Sequence, residues 1–468
     1  MKFKHLARVM TAAIGLCAIS SCFCACAEKN DPNTLNVICY DGGYGSTWLD
    51  KTIEIFEQTH EGYKVNPTYN KNASVTIKTN IDRNNNIDDL YISVGIDWQS
   101  YAAKGQLAPL DDLYEREVDG IKIKDKLTSC YANSVYTTGK DREEHAYRTP
   151  WIAGVGGIFY NVKMFEENNW EVPTTYEELV TLCQTIVDAK IRITGSDEME
   201  YVKPFVWTGG EAYYWDYTLF TWWGQLAGKE KLNKFFQYDD PSLFNPDNTD
   251  SAYSDLKTAY TMWYDLIASH SEYSMPDCTG KAYMSAQLDF IGGKAAMMPN
   301  GQWLYNEMRQ HASVTDFEMA LMPTPHLSTA QYPNTYYCVG EDQSIVIPAS
   351  STKQDLAKDF IAIMASNQGC DIFLEQANGI LAFNKTFDAS DSKYDTFQKS
   401  IINVQTSPNT VLFTDYSPST LGKLRKVGVW PLEARYNSAA NKTENAAPGT
   451  FFNDIYTYVQ GNWASWNK

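Results

Sequence analysis

"FIGGKAAMMPNGQWLYNEM", residues Phe290–Met308, sets the reading of the whole chain. Lys294-Ala-Ala-Met297 reads as a short apolar strand, Gly301-Gln302-Trp303 as a turn, and the residues after it as a helix. A strand that passes through a glycine turn into a helix is the building unit of α/β sheets, which bind ligands beyond the carboxyl ends of their strands.

The same alternation continues on both sides. "LNVICY" (Leu35–Tyr40) is short and β-branched, and Thr47–Phe56 repeats Leu49, Ile53 and Phe56 on one helical face behind a Thr47/Asp50 capping box. Tyr63–Asn70 and Asp88–Val94 return to strand, and "GVGGIFYN" (Gly154–Asn161) is an apolar strand of small residues that permit close backbone approach. Thr174–Lys190 is a capped helix with Leu179, Leu182 and Ile186 inward, and "SIVIP" (Ser344–Pro348) is a strand followed by a further helix. The pattern predicts α/β architecture with mostly parallel sheets. There is no internal repeat, low-complexity block or heptad run. At roughly 100–200 residues per domain, 468 residues suit two lobes better than one oversized sheet.

"ICYDGGYGSTWLDKTIEIF" (Ile38–Phe56) places three glycines between a strand and a helix. Such a turn can cradle phosphate, but Gly43-Tyr44-Gly45 lacks the third glycine of a dinucleotide fingerprint, no P-loop lysine follows, and Asp41 opposes an anion. The turn is expected to present backbone amides and Tyr44 to a ligand without phosphate.

Composition narrows the partners. The formal charge is −18, and loss of Lys2, Lys4 and Arg8 with a leader leaves −21. So acidic a body repels nucleic acid, and no cofactor motif is present. The leader has a basic start and an apolar run, Val9–Ile19, too short to span a bilayer. "ISSC" (Ile19–Cys22) resembles a bacterial lipobox, which implies cleavage before Cys22 and lipid on its sulfur; Cys26 is the weaker alternative, and an ordinary cleaved signal peptide is the other. Glu28–Thr34 then reads as a flexible tether. Cys22, Cys24 and Cys26 could suggest a metal site, but no fold holds them there. Cys39, Cys130, Cys183, Cys278, Cys338 and Cys370 are scattered without a CxxC pair and are expected to be buried free thiols.

Aromatic residues are abundant, with 13 Trp and 31 Tyr. Within Lys203–Gly228 lie Trp207, Tyr213, Tyr214, Trp215, Tyr217, Trp222 and Trp223. Trp222 and Trp223 read as core. Trp215-Asp216 pairs a flat ring with an acceptor, as a sugar requires. Tyr213-Tyr214 could instead suggest ferric ion, without histidine support. Trp151, beside the small-residue strand, fits either core or cleft.

The segments in order resemble the extracellular solute-binding proteins of ABC importers, in the family that includes maltose- and oligosaccharide-binding proteins. The match runs from the lipobox through "DGGYGSTWLDKTIEIFE", "YAAKGQLAPLDDL", "GGIFYN", the Phe290–Met308 stretch, "LMPTP" (Leu321–Pro325) and "IVIPASSTKQDLAKDFIAIM", spanning roughly Leu35 to Phe383. Each motif is loose; their shared order is specific. The resemblance implies a two-lobed periplasmic-binding-protein-like α/β fold, with a ligand cleft between lobes joined by hinge strands. The expected division is residues 1–21 leader, 22–34 lipidated Cys22 and tether, 35–150 plus about 322–365 N-terminal lobe, and 151–321 plus about 366–468 C-terminal lobe.

It also implies a monomer held outside the cell membrane by lipid alone, which captures an oligosaccharide for ABC permease subunits and performs no chemistry. Trp303 falls at the family's ring-stacking tryptophan. Ser93–Trp98 falls where the N-terminal lobe reaches into the cleft, giving Asp97 and Trp98, and Trp215 falls in the segment carrying aromatic subsites. Gly154 stands where the maltose binders place an acidic contact, which puts maltose in doubt. The expected ligand residues are Tyr44, Asp97, Trp98, Trp151, Trp207, Trp215, Asp216, Trp303 and Asp342.

Two other classes compete. A secreted glycoside hydrolase needs two carboxylates across the scissile bond, which 57 Asp and Glu make easy to imagine and impossible to identify. There is no Gly-x-Ser-x-Gly elbow or His-Glu-x-x-His. A polyamine or other cationic solute could sit in a Trp–Asp box, although the negative charge is spread along the whole chain.

Overall fold

The computed structural model describes residues 31–83, 87–127, 135–193, 195, 199–237, 239–309, 311, 317–337, 343–406, 440 and 446–466. They form two lobes, each built on a four-stranded sheet. In the first sheet the strand Thr34–Tyr40 lies between Lys64–Asn70 and Leu90–Val94, parallel to both, and Gln343–Val346 adds antiparallel to Leu90–Val94. Leu35, Val37 and Cys39 pack into one apolar cluster and Ile38 into another, so the opening strand is buried on both faces, which is why its sequence is almost continuously apolar. Pro67 is tolerated because its strand is an edge.

The second sheet runs Met319–Leu321, Gly156–Asn161, Ala295–Gly301, Lys203–Phe205. Ala295–Gly301 is parallel to Lys203–Phe205 but antiparallel to Gly156–Asn161, which is antiparallel in turn to Met319–Leu321. The expectation of mostly parallel sheets therefore fails here. Strands entering from a crossing run against the local direction, and apolar content does not record direction.

Local signals explain several boundaries. The helix Tyr176–Ala189 begins with a complete capping box between Thr175 and Glu178 and buries Leu179, Leu182, Cys183 and Ile186. The helix Thr47–Thr59 starts where expected, but its N-cap is Ser46, without a side-chain cap bond; Thr47 is already helical, so the Thr47/Asp50 box is not formed.

Trp207, Trp215, Trp222, Trp223 and Trp263 are buried in the second lobe. Buried indole N–H groups need acceptors, and Trp222 Nε1 donates to the Pro325 carbonyl at 2.6 Å while Trp207 Nε1 donates to Ser274 Oγ at 3.1 Å.

The chain crosses between lobes along paired segments. Thr149 bridges to Ile345, and Ile152 to Leu381. A buried ion pair fastens the late segment to the first sheet: Lys353 Nζ lies 2.9 Å from Asp89, which also accepts from Ser351 Oγ at 2.8 Å and Asn36 N–H at 2.9 Å. The helix Asn367–Ala377, placed with the second lobe by the sequence reading, packs on the helix Thr47–Thr59 of the first. Thr396–Thr406 packs on Met319–Leu321, and Pro448–Trp466 on Ala252–Trp263, both in the second lobe.

Cys39, Cys183, Cys278 and Cys370 are buried free thiols, and burial pushes the Cys278 and Cys370 thiols up to about 12. Cys22, Cys130, Cys338 and Asp342 lie outside the described residues. Among those described, no helix is long and apolar enough to cross a membrane.

Candidate functional site: the cleft between the lobes

A cavity of about 290 Å³ lies where the two sheets meet. This is near the small end of ligand pockets, roughly 300–1,000 Å³. The first lobe contributes Tyr40, Gly43, Tyr44, Val94 and Gln343, the crossing contributes Trp151 and Ile152, and the second lobe contributes Glu211, Tyr213, Tyr214, Tyr217, Tyr283, Trp303 and Glu307.

Trp303 reaches the wall because of what surrounds it. The strand Ala295–Gly301 delivers the chain to the cleft, and the Trp303 ring folds back over Gly301, where a Cβ would stand 2.2 Å from the ring. The ring then meets Tyr214 at 5.5 Å, Tyr217 at 5.9 Å and Tyr44 at 6.4 Å between centroids. Gly156 serves the same wall: a Cβ there would stand 2.5 Å from the Tyr217 ring. The small residues of "GVGGIFYN" thus make room for an aromatic from another element.

Beneath the cavity, Trp151 stacks on Trp48 at 5.3 Å and meets Tyr44 at 5.9 Å. Offset and edge contacts of this kind stiffen a floor of rings. Gln302, fully buried, ties the floor together. Its Nε2 donates to Tyr44 Oη and to the Ala153 carbonyl, each at 3.0 Å, and its Oε1 accepts from Ile380 N–H at 3.1 Å. One side chain of the second lobe therefore joins the glycine loop and both crossing segments.

Two carboxyl groups face this aromatic cavity. Burial raises the proton affinity of both Glu211 and Glu307 above the ordinary glutamate value. Gln287 Nε2 donates to Glu307 Oε2 at 2.7 Å, which opposes the rise. Desolvation also lifts the Tyr214 hydroxyl well above the usual tyrosine range. Flat rings beside acceptors suit the C–H faces and hydroxyl rim of a polyol. The glycine loop meets Trp303 and Glu307 across the cleft, an acidic and aromatic surface that offers nothing to phosphate.

The structure gathers Tyr44, Trp151 and Trp303 of the expected residues into the cavity wall. It does not bring Asp97, Trp98, Trp207, Trp215 or Asp216 there. Val94, the last residue of its strand, lines the cavity; Gly95 follows with φ +68°, and neither Asp97 nor Trp98 is in the wall. Trp98 is buried on the far side of the first sheet under the Arg148 guanidinium at 5.1 Å, and Asp97 is exposed ahead of its helix. Trp215 is fully buried against Phe205, Trp207 and Trp263, and Asp216 is buried at the start of Asp216–Phe235.

The rings facing the cleft are instead Tyr213, Tyr214 and Tyr217. Their i, i+3 and i, i+4 spacing places them on one helical face with Trp215 opposite, and that spacing was visible in the sequence. Gln343, next to the expected Asp342, had no distinguishing signal, and neither did Gln302.

The sequence profile of the family described as bacterial extracellular solute-binding protein matches residues 42–369. The multiple sugar-binding protein of Streptococcus mutans is 24% identical over 323 residues, which is 68% of this chain and 68% of that protein. The diacetylchitobiose binding protein of Streptomyces coelicolor is 24% identical over 302 residues, 63% of this chain and 58% of that one. Among solved structures, one from work on xylan utilization by Caldanaerobius polysaccharolyticus superposes with a TM-score of 0.67 at 17% identity, covering 91% of this chain and 100% of that chain. The apo form of RafE from Streptococcus pneumoniae superposes with a TM-score of 0.64 at 17% identity, covering 92% and 98%. These two likenesses concern the fold.

Proposed function

The chain belongs to the bacterial extracellular solute-binding proteins, and from that premise we propose that it captures a carbohydrate, an oligosaccharide, outside the membrane and passes it to the permease subunits of an ABC importer. The observation that carries this reading is the cavity between the lobes, where Trp303, Tyr214, Tyr217 and Tyr44 bring ring faces and hydroxyls together beside acceptor side chains. Ring stacking contributes roughly 0.5–1.5 kcal/mol per ring beyond area burial, so several rings and a few hydrogen bonds suffice for micromolar capture, about −8 kcal/mol. The two curated relatives are named for binding sugars, which supports binding over hydrolysis and over capture of a polyamine.

The same reading places a leader at residues 1–21 and a lipid on Cys22, with residues 22–34 as tether and a monomer as the working unit. The N-terminal lobe takes residues 35–150 and the strand Gln343–Val346, and we extend it through the helix Asn367–Ala377 because that helix packs on Thr47–Thr59.

A thermal-shift screen with neutral mono- and oligosaccharides plus spermidine tests the proposal. A ligand at 100 times its dissociation constant adds about 2.7 kcal/mol to stability. The account expects a shift with at least one saccharide and none with spermidine; the reverse would overturn it.

A further inference from the structure

We infer that the cleft selects saccharides carrying no anionic group, and that Glu211 and Glu307, aided by Gln343 and Trp151, make that selection; the inference rests on the carbohydrate reading above. Among the described residues, those lining the cavity include two carboxylates and no lysine, arginine or histidine. Lys71 acts on Glu307 electrostatically, but it is exposed and outside the wall.

A second, independent observation points to a ligand. Gln343 and Trp151 line the cavity and are 7% and 1% exposed, and Gln343 Oε1 and Trp151 Nε1 are buried without a hydrogen-bond partner. Native proteins rarely leave such atoms unmatched, because burial removes water and nothing replaces it. The two residues sit on different segments, one at the start of a first-lobe strand and the other on the crossing, yet both line the same cavity. Both atoms are closed to solvent in this conformation, so contact requires each side chain to turn toward the cavity; a ligand hydroxyl would then donate to Gln343 Oε1 and a ligand oxygen accept from Trp151 Nε1–H.

The inventory of groups then sets the charge of the guest. In their carboxylate form Glu211 and Glu307, like the Gln343 oxygen, only accept, Trp151 Nε1 only donates, and tyrosine hydroxyls do either. Sugar hydroxyls bring a donor to every acceptor. A carboxylate, sulfate or phosphate brings no donor and places like charge against two carboxylates in a poorly solvated space, where repulsion is weakly screened.

The test is calorimetric titration of the lipid-free mature chain at pH 7 with matched pairs. Maltose, cellobiose, xylobiose and raffinose, with the longer members of each series, are set against counterparts in which one hydroxymethyl is oxidised to a carboxylate or one hydroxyl is phosphorylated. A neutral member is expected to bind, and its acidic counterpart about 100-fold more weakly or not at all. Glu307→Gln and, separately, Glu211→Gln are expected to narrow that gap to less than about tenfold, with circular dichroism confirming the fold. Equal affinities within a pair, or a gap that survives in both variants, would overturn the inference while leaving the carbohydrate reading standing. Silence across both the neutral and the acidic series would overturn both.

Discussion

Asn306 Nδ2 donates to the Gly43 carbonyl at 2.8 Å, joining the helix behind Trp303 to the glycine loop of the opposite lobe. The contact exists because Gly43 has no side chain. A Cβ there would stand 2.8 Å from Trp303 Cβ and 2.9 Å from Glu307 Oε1. Glu307 could swing aside, but Trp303 Cβ is fixed to the backbone.

Gly43→Ala is therefore expected to hold the lobes apart. Ligand affinity should fall at least tenfold, about 1.4 kcal/mol, while the melting temperature of the free protein changes little. Titration and a thermal melt of the same sample check this; full affinity in the variant would show that the close approach is not needed for binding.

Glu307 predicts a conflict between stability and binding. Burial raises its pKa, so the folded state bears a penalty once the carboxyl ionises. The sign follows from linkage. Below the ordinary glutamate value the group is protonated in both states and there is no penalty; as the pH rises from that value through the raised one, stability is lost. Glu307→Gln is thus expected to be more stable than the parent at pH 7, by about 0.5–2 kcal/mol, with the gain vanishing toward pH 4. Denaturant melts across pH check it, and a variant less stable at pH 7 would mean that the carboxylate is better compensated than its surroundings indicate.

Cys22 lies outside the described residues, and the lipid proposed on it rests on the lipobox-like "ISSC" alone. Cys22→Ser is expected to abolish incorporation of a labelled fatty acid and to release the chain from the membrane fraction. Retained label would move the anchor to Cys26.

What the sequence disclosed follows from how local each signal is. The turn Gly301-Gln302-Trp303 announced a ring at a strand's carboxyl end, because strand, glycine and tryptophan are adjacent in the chain. The aromatic segment around Trp215 was legible as a segment, but which rings turn toward the cleft depends on helical phase, and reading the Trp215-Asp216 pair as a unit chose the wrong side. Asp97 and Trp98 do not line the cavity, one being exposed and the other packed into the second apolar cluster, and no local pattern in the sequence assigns them to those places. Gln302 and Gln343 were beyond reach: each acquires its neighbours only when segments distant in sequence converge. The packing of Asn367–Ala377 on the first lobe is likewise a long-range fact that an amphipathic pattern does not encode.

The central claim is that ligand binds against Trp303 in the cleft, while Trp215 serves the core. Calorimetric titration of the saccharide that emerges from the thermal screen into the parent, Trp303→Ala and Trp215→Ala proteins tests it most directly. The account predicts that Trp303→Ala loses about 2 kcal/mol or more of affinity while remaining folded, and that Trp215→Ala loses about 3–5 kcal/mol of stability while its folded fraction binds as the parent does. A folded Trp303→Ala protein with undiminished affinity would contradict it.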